Sequence, residues 1–161
     1  MNLQQSFKEN DSIRLGLSAD TWQEAIRLAV QPLIDSGAAS SEYYDAIIAS
    51  TEKYGPYYVL MPGMAMPHAE AGKGVFKNAF ALITLTKPVT FSDGKEASVF
   101  LTLAATVPSI HTTVDIPQIV ALFELDNAIG RLLACQNPEE VLEMVEESKN
   151  SPYLEGLDLD S

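Results

Sequence analysis

The chain lacks several features that would place it in a large protein class. Its 161 residues include one cysteine, so no internal disulfide can form and a reducing cytoplasm is the expected compartment. No apolar run approaches the roughly 18 residues that cross a bilayer. The opening MNLQQSFKENDS also lacks the basic and apolar regions of a signal peptide. We therefore expect a cytoplasmic protein with no direct membrane insertion.

Positive charge is scarce. Ten lysines and arginines stand against 22 acidic residues, for a formal net charge of −12. This balance argues against nucleic acid as a partner, because phosphates would be repelled. The acidic excess spares residues 55–115, which carry four acids and four bases. Such a neutral segment suits a phosphate site, although buried strands are also short of charge.

Familiar catalytic motifs are missing too. The sequence has no GxSxG nucleophile turn and no GxxxxGK[ST] phosphate loop. His68 and His111 stand far apart and, with one cysteine, offer no ligand-spaced metal cluster. We expect neither a metal nor an organic cofactor.

Hydrophobic periodicity predicts helices on both sides of a strand-rich centre. SIRLGL (12–17) alternates like a strand. A helix capped by Asp20 follows, and a second one ends near Tyr54. Three helices are predicted in the last third, and the best-defined start is Asn137 before Pro138 and Glu140.

Three strands are predicted between these helical regions, at YYVLM (57–61), NAFALITLT (78–86) and ASVFLTLAATV (97–107), with a turn at SDGKE between the last two. Their near-continuous apolar character implies that both faces of the sheet are covered. The chain order is therefore β-α-α-β-β-β-α-α-α. It predicts an α+β fold, an α/β/α three-layer sandwich around a mixed sheet. We expect one domain over 1–155 and a frayed acidic tail over 156–161.

The stretch PGMAMPHAEAGKG (62–74) places His68 on a turn rich in proline and glycine, among uncharged neighbours. A neutral imidazole is nucleophilic near pH 7, because its ordinary pKa is about 6.5. His68 could therefore accept a phosphoryl group, with Met64, Met66 and Pro67 as an apolar rim for partner proteins. Two alternatives remain open on the residues alone: a general base in a hydrolase, or a loop histidine above methionines that fill the core.

The segment GPYYVLMPGMAMPHA (55–69) resembles the active-site stretch of enzyme IIA domains of the bacterial phosphoenolpyruvate-dependent sugar phosphotransferase system. These are enzyme IIA domains of the mannitol–fructose type, and the motif in this segment is most similar to that of the ascorbate-specific branch. The resemblance extends over nearly the whole chain, including QIVALFE and RLLAC.

The resemblance implies that His68 takes phosphate from the phosphocarrier HPr and passes it to a cysteine of the cognate enzyme IIB. Enzyme IIB would then phosphorylate ascorbate, or a related sugar or sugar acid, during import by the membrane enzyme IIC. His111 matches a second histidine near the first, which would donate a hydrogen bond, or positive charge when protonated, to the phosphoryl oxygens. Thr112 could add a further donor for these oxygens. An alternative is a regulatory module of the same fold, whose phosphorylation state controls a partner protein.

One departure from the family pattern concerns positive charge. Mannitol-type relatives commonly carry an Arg-Glu pair late in the second helix, where this chain has Thr51-Glu52 followed by Lys53. We therefore expect Lys53, His111 or backbone amides to stabilise the phosphorylated form.

Overall fold

The computed structural model describes residues 2–108 and 115–156. The helices and strands follow in chain order: α1 (Leu3–Asn10), β1 (Ile13–Leu17), α2 (Trp22–Asp35), α3 (Ser41–Tyr54), β2 (Gly63–Ala65), β3 (Ala79–Thr90), β4 (Glu96–Ala104), α4 (Ile116–Phe123), α5 (Ala128–Ala134) and α6 (Pro138–Ser148). A 3-10 turn over Pro152–Leu154 comes after α6. The predicted α+β fold is confirmed, and one further helix, α1, precedes the predicted order.

The four strands form one mixed sheet in the order β1-β3-β4-β2. β3 and β4 are antiparallel, whereas β1 runs parallel to β3 and β2 runs parallel to β4. Because β2 and β4 are parallel, the chain leaves both of them at the same end of the sheet. His68 follows β2 by three residues and therefore lies at that end.

Helices cover both faces of the sheet. Phe80 and Leu103 are paired residues of β3 and β4, so their side chains share one face, and Thr102 points to the other. Phe80 meets the ring of Phe7 from α1, with centroids 6.4 Å apart. On the opposite face, the Thr102 hydroxyl donates to the Ala29 carbonyl of α2 at 3.0 Å. Because side chains alternate between the two faces and helices pack on each face, the predicted three-layer arrangement is confirmed.

The additional helix α1 has a weak sequence signal. Only Leu3 and Phe7 in LQQSFKEN are strongly apolar, and both are buried. The Asn2 side chain accepts a hydrogen bond from the Gln5 amide and caps the helix start. Two apolar residues four apart are too few to define a periodic pattern, so packing on β3 decides this helix.

Two predicted helix caps had different outcomes. The Asn137 side chain accepts from the Glu140 amide at 3.1 Å, which confirms that helix start. The Asp20 prediction is wrong by one residue, because the Thr21 hydroxyl accepts from the Glu24 amide at 3.2 Å. The Glu24 carboxylate in turn accepts from the backbone amide of Asp20, the residue before the cap, so this return bond reaches one residue further back than in a capping box.

The predicted strand at 57–61 is also wrong. Backbone amides of this segment form local turns instead of pairing with a strand. The Tyr57 amide donates to the Gly55 carbonyl, and the Val59 amide donates to the Pro56 carbonyl. The edge strand beside β4 is the shorter β2. Conversely, β3 continues past the expected stop at Lys87-Pro88. The register of its pairing with β4 shifts between Thr84 and Val89, so the missing amide of Pro88 falls at an irregularity.

None of the described helices combines the length and the apolarity needed to cross a membrane. Of the expected acidic tail, residues 157–161 lie outside the described part of the chain.

Candidate functional site

His68 is held against the end of β4 by backbone hydrogen bonds on both sides. Before it, the Pro67 carbonyl accepts from the Leu103 amide at 3.2 Å. After it, the Gly72 amide donates to the Ala105 carbonyl at 3.1 Å. These bonds make the connection that carries His68 part of the sheet scaffold, which is how reactive groups on loops are usually fixed.

The imidazole of His68 has a defined tautomer. Its Nδ1 lies 2.8 Å from the Met66 carbonyl oxygen, two residues earlier in the chain. A carbonyl can only accept, so Nδ1 carries the proton and donates it to this bond. In the neutral ring the lone pair is therefore on Nε2, the ring nitrogen farther from the main chain.

The surroundings of His68 also favour its neutral form. The residue is half-buried, and this burial lowers the pKa of the imidazole, while the hydrogen bond to Met66 opposes the shift. A neutral imidazole with a fixed tautomer is the state that a nucleophilic histidine needs.

Two tyrosines hold the peptide group that follows the His68 side chain. The Tyr57 hydroxyl donates to the His68 carbonyl at 2.7 Å. The Ala69 amide of the same peptide group donates to the Tyr43 hydroxyl at 3.3 Å, and that hydroxyl donates onward to the Leu103 carbonyl at 2.5 Å. Sequence reasoning gave neither tyrosine a site role, although Tyr57 belongs to the GPYY wording that carried the resemblance.

Aromatic rings surround the imidazole. The Tyr57 ring stands perpendicular to that of His68, with an interplanar angle of 89° and centroids 5.3 Å apart. The Tyr58 ring packs against His68 at 6.4 Å and against Tyr57 at 5.1 Å. Edge-to-face contacts of this kind restrict the orientation of each ring.

The expected apolar rim of Met64, Met66 and Pro67 is not on the surface, and that prediction is wrong. Met64 and Met66 are 2% and 3% exposed, and Pro67 is buried as well. β2 lies beneath the 57–61 segment, and the Met66 amide donates to the Tyr58 carbonyl. The methionines therefore fill the core under the turn.

The exposed apolar side chains of this region come from the preceding segment instead. Tyr57, Leu60 and Met61 are 40%, 59% and 38% exposed.

His111 and Thr112 lie outside the described residues, so their predicted roles stay predictions. The next described residue is Asp115, immediately before α4. Its side chain is fully buried, and neither carboxylate oxygen has a hydrogen-bond partner among the described residues. Burial raises the pKa of this carboxyl to about 7.

A cleft of about 340 Å³ lies beside the His68 turn, with Ala69, Lys53 and Lys73 in its wall. Lys73 is 3.6 Å from the Glu70 carboxylate. Thr51, which the family resemblance places opposite the arginine expected in mannitol-type relatives, is buried, and its hydroxyl donates to the Ile47 carbonyl. The side chains expected to supply positive charge are Lys53 and His111, and of these two Lys53 is among the described residues.

In the part of the chain that the structure describes, no three histidine, cysteine, aspartate or glutamate side chains come close enough to hold a metal ion.

Comparison with known proteins agrees with the mixed α+β fold. Residues 6–148 match the model of the family "Phosphoenolpyruvate-dependent sugar phosphotransferase system, EIIA 2". The chain belongs to this family, whose members are components of a phosphotransferase system.

Individual relatives narrow the comparison. The chain is 43% identical over 148 residues to the "Ascorbate-specific PTS system EIIA component" of Shigella boydii serotype 4, an alignment that covers 91% of this chain and 96% of that one. A crystal structure described as a PTS IIA domain from Streptococcus pyogenes M1 GAS is 85% identical. It superposes with a TM-score of 0.92 over 95% of this chain and 99% of that one.

The Escherichia coli complex of enzyme IIAMTL with phosphorylated enzyme IIBMTL is more distant. It is 28% identical, with a TM-score of 0.72 over 86% of this chain and 95% of the matched chain.

Proposed function

We propose that this protein is a cytoplasmic phosphocarrier that takes a phosphoryl group from phospho-HPr onto His68 and passes it to a cysteine of its cognate enzyme IIB. The observation that carries the proposal is the 2.8 Å contact between His68 Nδ1 and the Met66 carbonyl. This contact fixes the proton on Nδ1 and leaves the lone pair on Nε2, so one nitrogen of the ring is defined as the nucleophile.

In the first step the Nε2 lone pair attacks the phosphorus of the donor's phosphohistidine. The N–P bond of the donor breaks, and its electron pair returns to the donor nitrogen. The His68 ring then carries phosphate on Nε2 and keeps its proton on Nδ1. The Met66 carbonyl accepts from that proton and thereby stabilises the partial positive charge of the ring.

In the second step a thiolate of enzyme IIB attacks the same phosphorus. The Nε2–P bond breaks, and the neutral imidazole is restored. Both steps are in-line displacements between two held nucleophiles, so most of the rate enhancement comes from positioning. The described groups that position His68 are the backbone of β4 and the two tyrosines.

Positive charge near the phosphoryl group is assigned within this proposal to Lys53. It lines the cleft beside Ala69, and this chain has no arginine between Arg27 and Arg131. A cation here would stabilise the oxygens of the transferring group.

The substrate class rests on the relatives. The Shigella boydii relative is named as ascorbate-specific, and the Escherichia coli relative is solved with a phosphorylated enzyme IIB. We therefore propose ascorbate, or a related sugar acid, as the molecule that enzymes IIB and IIC import with phosphate from this chain.

The test is phosphoryl transfer from labelled phosphoenolpyruvate through purified enzyme I and HPr. Wild type should acquire acid-labile label, and His68→Gln and His68→Ala should show none above background. Both variants should retain the wild-type circular dichroism spectrum. Label on either variant at the wild-type level would refute His68 as the acceptor.

Two further additions test the later steps. Purified enzyme IIB should remove the label from wild type, and membranes with enzyme IIC should then phosphorylate ascorbate in preference to mannitol. Labelled protein that loses nothing to enzyme IIB would contradict the carrier role and favour a regulatory one.

A further inference from the structure

Tyr57 contacts His68 in two ways. Its hydroxyl donates to the His68 carbonyl at 2.7 Å, and its ring meets the imidazole at 89°. The hydroxyl thus fixes the backbone on which the histidine is mounted, and the ring limits how the imidazole can turn.

Tyr57 is itself tied to helix α3. The Ser50 hydroxyl donates to the Tyr57 hydroxyl at 3.1 Å. A chain of two hydrogen bonds therefore runs from Ser50 through Tyr57 to the His68 carbonyl. Helix α3 packs on the sheet through buried Tyr43 and Ile47. These two hydrogen bonds therefore couple the position of His68 to a rigid element.

Tyr57 differs from Tyr43 in its surroundings. Tyr43 is fully buried, so the loss of its hydroxyl would leave buried backbone groups without a partner. Tyr57 is 40% exposed, and water can replace its hydroxyl at the His68 carbonyl. A change at Tyr57 should therefore affect the geometry of the histidine more than the stability of the fold.

We propose that Tyr57 is a positioning residue for phosphoryl transfer, holding the His68 peptide and ring in the orientation in which Nε2 meets the phosphorus. This inference rests on the proposed role of His68 as the phosphoacceptor. In-line displacement is sensitive to small errors of placement, because a misplacement of about 1 Å can cost roughly a hundredfold in rate.

The experiment measures single-turnover transfer from phospho-HPr at increasing donor concentration. Loss of one hydrogen bond of ordinary strength in Tyr57→Phe should lower the maximal rate about fivefold, with the half-saturating donor concentration unchanged. Tyr57→Ala also removes the ring and should lower the maximal rate about 30-fold.

Tyr54→Phe is the matched control for Tyr57→Phe. Tyr54 is also exposed and lies three residues earlier, and its ring contacts the Lys53 ammonium, 5.1 Å from the ring centroid. Tyr54→Phe keeps that ring and removes only the hydroxyl, so it should keep the wild-type maximal rate.

The hydrogen-bond chain supplies a sharper test. Ser50→Ala should slow transfer about twofold in the wild-type background. It should have no further effect when combined with Tyr57→Phe, because Ser50 acts on His68 only through the Tyr57 hydroxyl. Independent, multiplicative effects of the two substitutions would contradict the chain.

A raised half-saturating concentration with an unchanged maximal rate would overturn the proposal and make Tyr57 a partner contact. Wild-type kinetics in Tyr57→Phe and Tyr57→Ala would also overturn it. Failure of wild type to be labelled would instead refute the proposed function.

The ring itself can be followed without any donor. In ¹⁵N NMR, wild-type His68 should show one tautomer with the proton on Nδ1. In Tyr57→Ala the two ring nitrogens should move toward an average of both tautomers. An unchanged His68 spectrum in Tyr57→Ala would contradict the positioning role whatever the phosphate donor is.

Discussion

His68 and Asp115 respond to burial in the same direction, but their surroundings differ. Burial lowers the pKa of the His68 imidazole and raises the pKa of the Asp115 carboxyl to about 7, so both are shifted toward the neutral form. Loss of water disfavours the charged state of any group, acid or base.

The hydrogen bonds that the structure describes differ between the two groups. The His68 ring donates to the Met66 carbonyl, and the peptide group after it is bonded at both ends. The Asp115 carboxyl has no hydrogen-bond partner among the described residues. For His68, burial combined with hydrogen bonds gives an oriented, reactive group. For Asp115, burial raises the pKa, so its contribution to stability varies with pH.

The largest effect is expected from Asp115→Asn. A folded-state pKa of about 7, against 3.8 for an ordinary aspartate, means that the folded protein holds the proton more tightly than the unfolded chain does. The stability of wild type should therefore fall as pH rises from about 4 to 7. Three pKa units correspond to about 4 kcal/mol. The free energy of unfolding of Asp115→Asn, relative to wild type, should rise by about that amount between pH 4 and pH 8.

Urea unfolding at the two pH values measures this difference. Asp45→Asn, at an exposed position on α3, is the control for the loss of one carboxylate. A relative stability of Asp115→Asn that does not vary with pH would show that Asp115 is charged and compensated in the folded protein.

A smaller loss of stability, independent of pH, is expected when the Tyr43 hydroxyl beside the His68 turn is removed. Tyr43→Phe removes the hydroxyl that donates to the Leu103 carbonyl and accepts from the Ala69 amide. Both backbone groups are buried, so we expect a loss of about 2 kcal/mol in the free energy of unfolding. The loss should be equal at pH 5 and pH 8. Tyr44→Phe, from the same helix, is the control for urea unfolding, and equal stability of the two variants would contradict the assigned bonds.

The smallest expected effect is the change in folding stability that accompanies protonation of His68. Its pKa in the folded protein should lie below 6.5, the ordinary value, because burial opposes protonation more than the Met66 carbonyl assists it. Protonation of the ring therefore costs folding stability as pH falls below 6.5, the opposite sign to Asp115.

¹⁵N NMR titration measures the His68 midpoint directly, with His111→Gln to assign the signals. The same titration in concentrated urea should return a midpoint near 6.5. A folded midpoint at or above the urea value would show that His68 is not desolvated, and the comparison with Asp115 would fail.

Local signals predicted the parts of the fold that depend on neighbouring residues. The start of α6 at Asn137-Pro138 was correct because the cap is formed within three residues. The strands around Leu82 and Leu101 were predicted because long apolar runs suit a sheet covered on both faces. Helix α1 was missed because its two buried side chains give no periodic pattern.

The candidate site shows the same division. The position of His68 on a turn followed from its prolines and glycines, and the family resemblance selected it among the alternatives. Exposure was predicted wrongly at Met64 and Met66. The local sequence of an apolar loop beside a short edge strand is the same whether another segment buries the loop or leaves it in solvent. The segment that covers it, 57–61, was itself predicted as a strand.

The sequence by itself determined the mixed α+β architecture, the neutral central segment and the turn that carries His68, because composition, periodicity and proline or glycine act over a few residues. Only the tertiary structure decided which nitrogen of His68 holds the proton in the folded chain and which tyrosines hold its peptide group. It also decided that Asp115 is buried. Tyr57 and Tyr43 stand 11 and 26 residues from their partners in the turn. Bonds of that separation depend on how α3 and the turn meet at the end of β4, which no local pattern encodes.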